Sequence, residues 1–223
     1  MKKLPIKVLV VDDHPIVRRG LSAEINLDPD MQVAGEARDG IEAVALALSL
    51  KPDVVLMDLI MPVMDGIQAT REIIAANPDA CILVLTSFTE EDNVYAAIKA
   101  GASGFIFKDK RPADLLQAIR DMYNGVPILL PSITRRLQRE LVRKEQPLIG
   151  EESLTEREKE ILMLVARGTL YKEIAQELGV REATVRAHVS SILGKLNLSN
   201  RSQLVLYAVN HKLIDAGKGS QEL

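Results

Sequence analysis

A single cysteine in 223 residues, Cys81, excludes an intramolecular disulfide and any cysteine-rich zinc site. Its neighbours Ile82 and Leu83 predict a buried strand position, so Cys81 reads as structural. No apolar run approaches the roughly 20 residues of a membrane-spanning helix, and no basic-then-apolar leader precedes the first apolar segment. The protein is therefore expected to be soluble and cytoplasmic, with no membrane partner. Internal repeats and low-complexity segments are missing too. Net charge is only −3, yet it is unevenly spread: 13 basic residues face 19 acidic ones over 1–123, and 15 face 12 over 124–223. Only the second part carries the sign that suits a polyanionic partner.

The chain is long enough for two medium domains, and 47% hydrophobic content can fill two cores. From Ile6 onward, short apolar runs alternate with amphipathic segments. The runs are Val8–Val11, Val33–Ala37, Val54–Met57, Ile82–Leu85 and Phe105–Phe107. Helical patterns follow each, ending near Leu27, Leu50, Ala76, Ala100 and Tyr123. Five such βα units predict an α/β fold, a doubly wound parallel sheet over residues 1–123.

Asn124-Gly125 with Pro127 and Pro131 breaks this rhythm. A connector is expected over 124–150, helical in its basic amphipathic middle from Ile133 to Lys144. From Leu154 every periodic segment has helical spacing, which predicts an all-α domain over 151–216 and a tail over 217–223. Thr155 and Glu158 have capping-box spacing at the start of its first helix, which stops at Gly168. Tyr171 to Leu178 is a short helix ending at Gly179, and Glu182 to Leu196 a longer one. Short helix, glycine turn and long helix reproduce a helix-turn-helix, and a fourth helix near Ser202 to Leu213 closes the domain.

The chemistry gathers where the predicted strands end, which is where open α/β sheets bind ligands. A lone aspartate at such a position is commonly a turn residue, but Asp58, at the end of the third run, is not alone. The first run ends on Asp12 and Asp13, which lie beside Asp58 if the first strand is central. Three crowded carboxylates repel unless a cation neutralises them, and a hard oxygen site with few protein ligands suits Mg²⁺. Two further strand ends supply a hydroxyl, Thr86 with Ser87 beside it, and an ammonium, Lys108. Nucleophile, metal site and donors on one edge are the parts that phosphoryl transfer requires.

These residues resemble the receiver domain of two-component response regulators. Val10-Val11-Asp12-Asp13, Met57-Asp58 with Met61-Pro62 and Asp65-Gly66, Leu85-Thr86-Ser87, and Gly101-Ala102-Ser103-Gly104-Phe105 leading to Lys108 stand in the family's order. The resemblance implies that Asp58 accepts a phosphoryl group from a sensor histidine kinase. It also implies that Asp12, Asp13, Asp58 and the Ile60 carbonyl hold Mg²⁺, and that Thr86 and Phe105 are switch residues. Lys108 is followed by Asp109, where many receivers have proline.

The helical part resembles the LuxR-type DNA-binding domain, on Leu154-Thr155-Glu156-Arg157-Glu158, Lys172-Glu173-Ile174-Ala175, Thr184-Val185-Arg186-Ala187-His188-Val189 and Lys195-Leu196. Together the two parts resemble a NarL/FixJ response regulator that binds promoter DNA as a dimer. Leu170-Tyr171 replaces the family's common Ser-Asn. On the long helix, Val185, Val189, Ile192 and Leu196 form an apolar stripe, opposite the small residues Ala183, Ala187, Ser190, Ser191 and Gly194. Such a face lies deep in a major groove, with Arg186 and Lys195 flanking it and His188 at the stripe's margin. Expected DNA contacts are thus Lys172, Thr184, Arg186, Ala187, His188, Ser190, Ser191 and Lys195. The apolar last helix, with Leu204, Leu206, Tyr207 and Val209, is expected to pack on a second copy. An alternative reading is a Mg²⁺-dependent phosphohydrolase with Asp58 as nucleophile and the helical part as a cap. In haloacid-type phosphohydrolases the residue two beyond the nucleophile is a second Asp, and here it is Ile60.

Overall fold

The structure, a computed structural model, describes residues 4–86, 91–126, 128, 133, 136, 154–196, 198, 201–211 and 213. The basic stretch from Ile133 to Lys144 falls almost wholly outside these, as do Ser87 and the tail. The chain forms two units, residues 1–123 and 124–223.

The first unit alternates β1 (Ile6–Val11), α1 (Pro15–Leu27), β2 (Met31–Ala37), α2 (Gly40–Leu50), β3 (Val54–Asp58), α3 (Gly66–Ala76), β4 (Ile82–Thr86), α4 (Glu91–Ala100), β5 (Gly104–Phe107) and α5 (Pro112–Tyr123). The strands are parallel, in the order β2-β1-β3-β4-β5. Helices α2, α3 and α4 neighbour one another along the sheet. On α1, Asp28 at the C-terminal cap forms an ion pair with Arg120 of α5. β3 and β4 are buried at every residue, as strands covered on both faces must be.

β2 begins two residues before the apolar run that marks it in the sequence, because Met31 pairs with Ile6 and is buried there. A register shift between Val8 and Leu9 passes over Ala34 on β2. Chain order reverses between β1 and β3, so the crevice beyond their carboxyl ends is flanked by Asp12 and Asp58.

The loop from β3 to α3 returns tightly. The Gly66 N–H donates to the Leu59 carbonyl, and a side chain on Gly66 would collide with the Asp58 carbonyl oxygen. Only glycine lets α3 start this close to the end of β3. Asp65 caps α3 by accepting from the Gln68 N–H.

The second unit contains α6 (Glu156–Ala166), α7 (Tyr171–Glu177), α8 (Glu182–Lys195) and α9 (Arg201–Asn210). Thr155 and Glu158 form the expected capping box on α6. Gly168 and Gly179 follow the first two helices with φ of +83° and +66°, the left-handed conformation that ends a helix without side-chain strain. Val185, Val189 and Ile192 of α8, with Leu196 at its C-terminal cap, turn into a core with Ile161, Leu162, Val165, Ile174 and Leu204. The opposite residues Ala183, Thr184, Ala187, Ser191, Gly194 and Lys195 are exposed.

Candidate functional site

Four strand ends bring the first unit's polar groups together. Asp12 directly follows β1 and is fully buried, held by its N–H donating to the Ala37 carbonyl at the end of β2. Asp58 is the last residue of β3, only 5% exposed. Lys108 follows β5, its N–H donating to the carbonyl of Thr86, the buried last residue of β4.

The Lys108 ammonium reaches across to both acids, 2.6 Å from Asp58 Oδ2 and 3.0 Å from Asp12 Oδ2. It offsets part of the pocket's negative charge and marks where an anionic oxygen can be received. Burial pushes the Asp58 carboxyl above the usual carboxylate value, against the opposing pull of Lys108. Burial also opposes the Lys108 charge, but the hydrogen bonds to Asp58 and Asp12 outweigh it and raise the ammonium above its ordinary pKa.

Asp109, in the family's proline position, lies in a tight turn closed by the Lys110 N–H on the Phe107 carbonyl, so the turn forms without proline.

Asp12, Asp13 and His14 offer ligand atoms within 4.8 Å of one another. His14 Nδ1 is 2.7 Å from Asp13 Oδ1, and the His14 N–H donates to Asp12 Oδ1. The only signal of His14 in the sequence is its place directly after the two acids. The carboxylate oxygens of Asp12, Asp13 and Asp58 are the hard donors that Mg²⁺ prefers, so the residues fit that ion. Ile60 is 61% exposed beside the pocket. Phe105 is buried, its ring edge-on to Phe107 at 5.4 Å.

In the second unit, two expected DNA contacts turn toward a carboxylate of their own domain. Glu158 is 4% exposed and accepts from Lys195 Nζ at 2.6 Å, from Ser191 Oγ at 2.8 Å and from the Thr155 N–H at 2.8 Å. The Lys195 ammonium above all, with the Thr155 N–H and the Ser191 hydroxyl, holds the Glu158 carboxyl at about 2. Lys195 and Ser191 thus tie α8 to the start of α6.

Arg186 pairs with Glu182 at 2.8 Å and lies 5.1 Å from the Tyr171 ring centroid. Lys172, Thr184 and Ala187 are exposed, while His188 and Ser190 are half-buried. Leu204 corrects an expectation: at 0% exposure it belongs to its own domain's core and presents no surface to a second copy. Tyr207 is half-buried, 4.1 Å from the His211 ring. The side chains of Leu206 and Val209 lie outside the described part.

Comparison with known proteins matches each unit separately. Residues 8–120 match the response regulator receiver domain, and 152–208 match the bacterial regulatory proteins of the luxR family. The chain is 44% identical to the transcriptional regulatory protein LiaR of Bacillus subtilis, over 94% of this chain and all of LiaR. It is 41% identical to the response regulator protein VraR of Staphylococcus aureus, over 95% of this chain and all of VraR. Among solved structures, the response regulator ChrA of a heme-sensing two-component system is 33% identical with a TM-score of 0.50, covering 94% of this chain and 99% of that one.

A parallel sheet with acids and a lysine at its strand ends, joined to a helix-turn-helix, defines a class, and the matches supply its name. The chain belongs to the response regulators with a LuxR-type output domain, DNA-binding transcription regulators of two-component systems. The helical part is thus a DNA-binding module and not the cap of a phosphohydrolase. Receiver domains of this family use Mg²⁺ in the acidic pocket, and the Asp12, Asp13, His14 cluster lies there. Among the described residues no helix is long and apolar enough to cross a membrane.

Proposed function

We propose that this regulator is switched by phosphoryl transfer from a sensor histidine kinase to Asp58, in the cytoplasm, and that the phosphorylated form binds promoter DNA as a homodimer. The observation that carries the reading is the Lys108 ammonium, 2.6 Å from Asp58 and 3.0 Å from Asp12. The strand-end carboxylate of Asp58 thus has a cation at hand for the incoming oxygens, which supports its reading as the acceptor. An Asp58 oxygen attacks the phosphorus of the kinase's phosphohistidine. The phosphorus–nitrogen bond breaks, and the imidazole keeps the electron pair. Lys108 pairs with an equatorial phosphoryl oxygen, and the Thr86 hydroxyl, with Ser87 beside it, turns toward another.

Asp12, Asp13, Asp58 and the Ile60 carbonyl would hold Mg²⁺, which when bound neutralises charge on the transferring group. Thr86, Lys108 and Phe105 form the switch, since a new dianion at Asp58 draws a hydroxyl and an ammonium toward it. The DNA face is Lys172, Thr184, Arg186, Ala187, His188, Ser190, Ser191 and Lys195, the last two also bracing α8 against Glu158. Leu206, Tyr207 and Val209 of α9 are the dimerisation surface.

Incubation with labelled acetyl phosphate and Mg²⁺ tests the acceptor. Wild type should take up acid-stable, base-labile label, and Asp58→Asn, which keeps the shape and removes the nucleophile, should take up none. Equal labelling of the two would reassign the site.

A further inference from the structure

Asp12 and Asp13 are adjacent in sequence, and in an extended strand successive side chains point to opposite faces. Yet their carboxylates converge to within 4.8 Å of one another. They do so because the chain has left β1 at Val11, and the orientation of the peptide between them is then set by what that peptide contacts. Its carbonyl, that of Asp12, accepts from Arg18 Nη1 at 2.6 Å.

Arg18 stands on the first turns of α1 and is itself held. Its Nε is 3.4 Å from Glu36 Oε2 of β2, and the other Glu36 oxygen accepts from Ser22 Oγ at 2.7 Å. Ser22 lies one helical turn beyond Arg18 on the same face of α1 and is buried. A relay thus runs from Ser22 through Glu36 and Arg18 to the peptide that orients the two acids, spanning α1, β2 and the end of β1. Hydrogen bonds to charged groups are the stronger ones, and the side chain of Arg18 is only 17% exposed, so water competes little.

We infer that Arg18 is a positioning residue of the phosphoacceptor pocket, fixing the Asp12–Asp13 peptide so that both carboxylates face one cation, with Glu36 and Ser22 holding the guanidinium in place. This rests on the reading of the acidic pocket as a Mg²⁺ site, and it adds residues that touch neither the cation nor the phosphoryl group. The sign of the effect separates positioning from simple charge. A guanidinium near a cation site repels the cation through space, so as a mere charge its removal would tighten Mg²⁺ binding. As a positioning group, its removal weakens Mg²⁺ binding, as loss of a supporting partner behind metal ligands does.

The test is Mg²⁺ titration of the full-length protein by calorimetry, with melting curves recorded on each variant. Arg18→Met should weaken Mg²⁺ binding about 10-fold. Arg18→Lys, which keeps a donor, should recover part of that loss. Ser22→Ala changes no charge, spares the pocket itself and should shift the affinity in the same direction by a smaller factor. Mg²⁺ binding by Arg18→Met as tight as wild type or tighter would overturn the inference. Should Arg18→Met not fold, Ser22→Ala decides alone, and an affinity equal to wild type in that folded variant would overturn it. Wild type that binds no Mg²⁺, or Asp13→Ala that binds it as well as wild type, would instead overturn the reading of the pocket.

Discussion

The carboxyl of Asp58 is drawn two ways, since burial raises its pKa while Lys108 resists the rise. A raised carboxyl contributes stability below its unfolded value that is lost as pH rises through the folded one. At neutral pH the ionised Asp58 is therefore a cost to the metal-free receiver, accepted at a reactive position. Glu158 is the opposite case: Lys195 lowers it from 4.5 to about 2. Its contribution is complete above about pH 4.5 and fades as pH falls toward about 2. Glu158→Gln should accordingly melt below wild type at pH 6, and the gap should close as pH falls toward 2; a pH-independent gap would mean the charge is immaterial. For Arg186, whose geometry is set by Glu182 and Tyr171, replacement by alanine should weaken binding to a preferred duplex by about 1–3 kcal/mol if it reads a base edge. If it contacts phosphate instead, all sequences should weaken and the salt slope fall by about 1. Unchanged affinity on every sequence would remove it from the interface.

At the scale of elements, the loop from β3 to α3 combines a glycine that must be glycine with a residue that is strained. Val63 is β-branched, 80% exposed and has φ of +69°. The left-handed conformation costs such a residue about 1–2 kcal/mol, and glycine's extra chain entropy costs about 0.5–1. Val63→Gly should thus stabilise the receiver by up to about 1.5 kcal/mol in chemical denaturation, and destabilisation would show that the loop carries no strain there. Four of the five strands were legible in the sequence because a buried apolar run ends abruptly on a polar residue, and those residues, Asp12, Asp58, Thr86 and Lys108, border one crevice. Helix ends at Gly168 and Gly179 were legible because a left-handed residue is local chemistry. Contacts made across long sequence separations were not legible. The pairing of Arg18 with Glu36, and of Lys195 with Glu158 37 positions away, depends on which helix faces compose each unit. Leu204 misled for the same reason: an apolar stripe shows that a face is covered, not whether its own core or a second copy covers it.

For the whole molecule, a pocket that changes charge and a helix-turn-helix that binds DNA make a switch only if occupancy of the first alters the affinity of the second. We expect the unphosphorylated receiver to obstruct pairing of the DNA-binding units and phosphorylation to shift the population toward an open dimer. Paired recognition helices read half-sites about one DNA turn apart, so the preferred duplex should be roughly palindromic. The most direct test is the affinity of full-length wild type and Asp58→Asn for one duplex, selected from genomic fragments by the phosphorylated protein. It is measured at fixed salt with and without acetyl phosphate and Mg²⁺. Acetyl phosphate should tighten wild-type binding about 10-fold and leave Asp58→Asn unchanged, whereas an equal gain in both proteins, or none in wild type, would contradict control of DNA binding through Asp58.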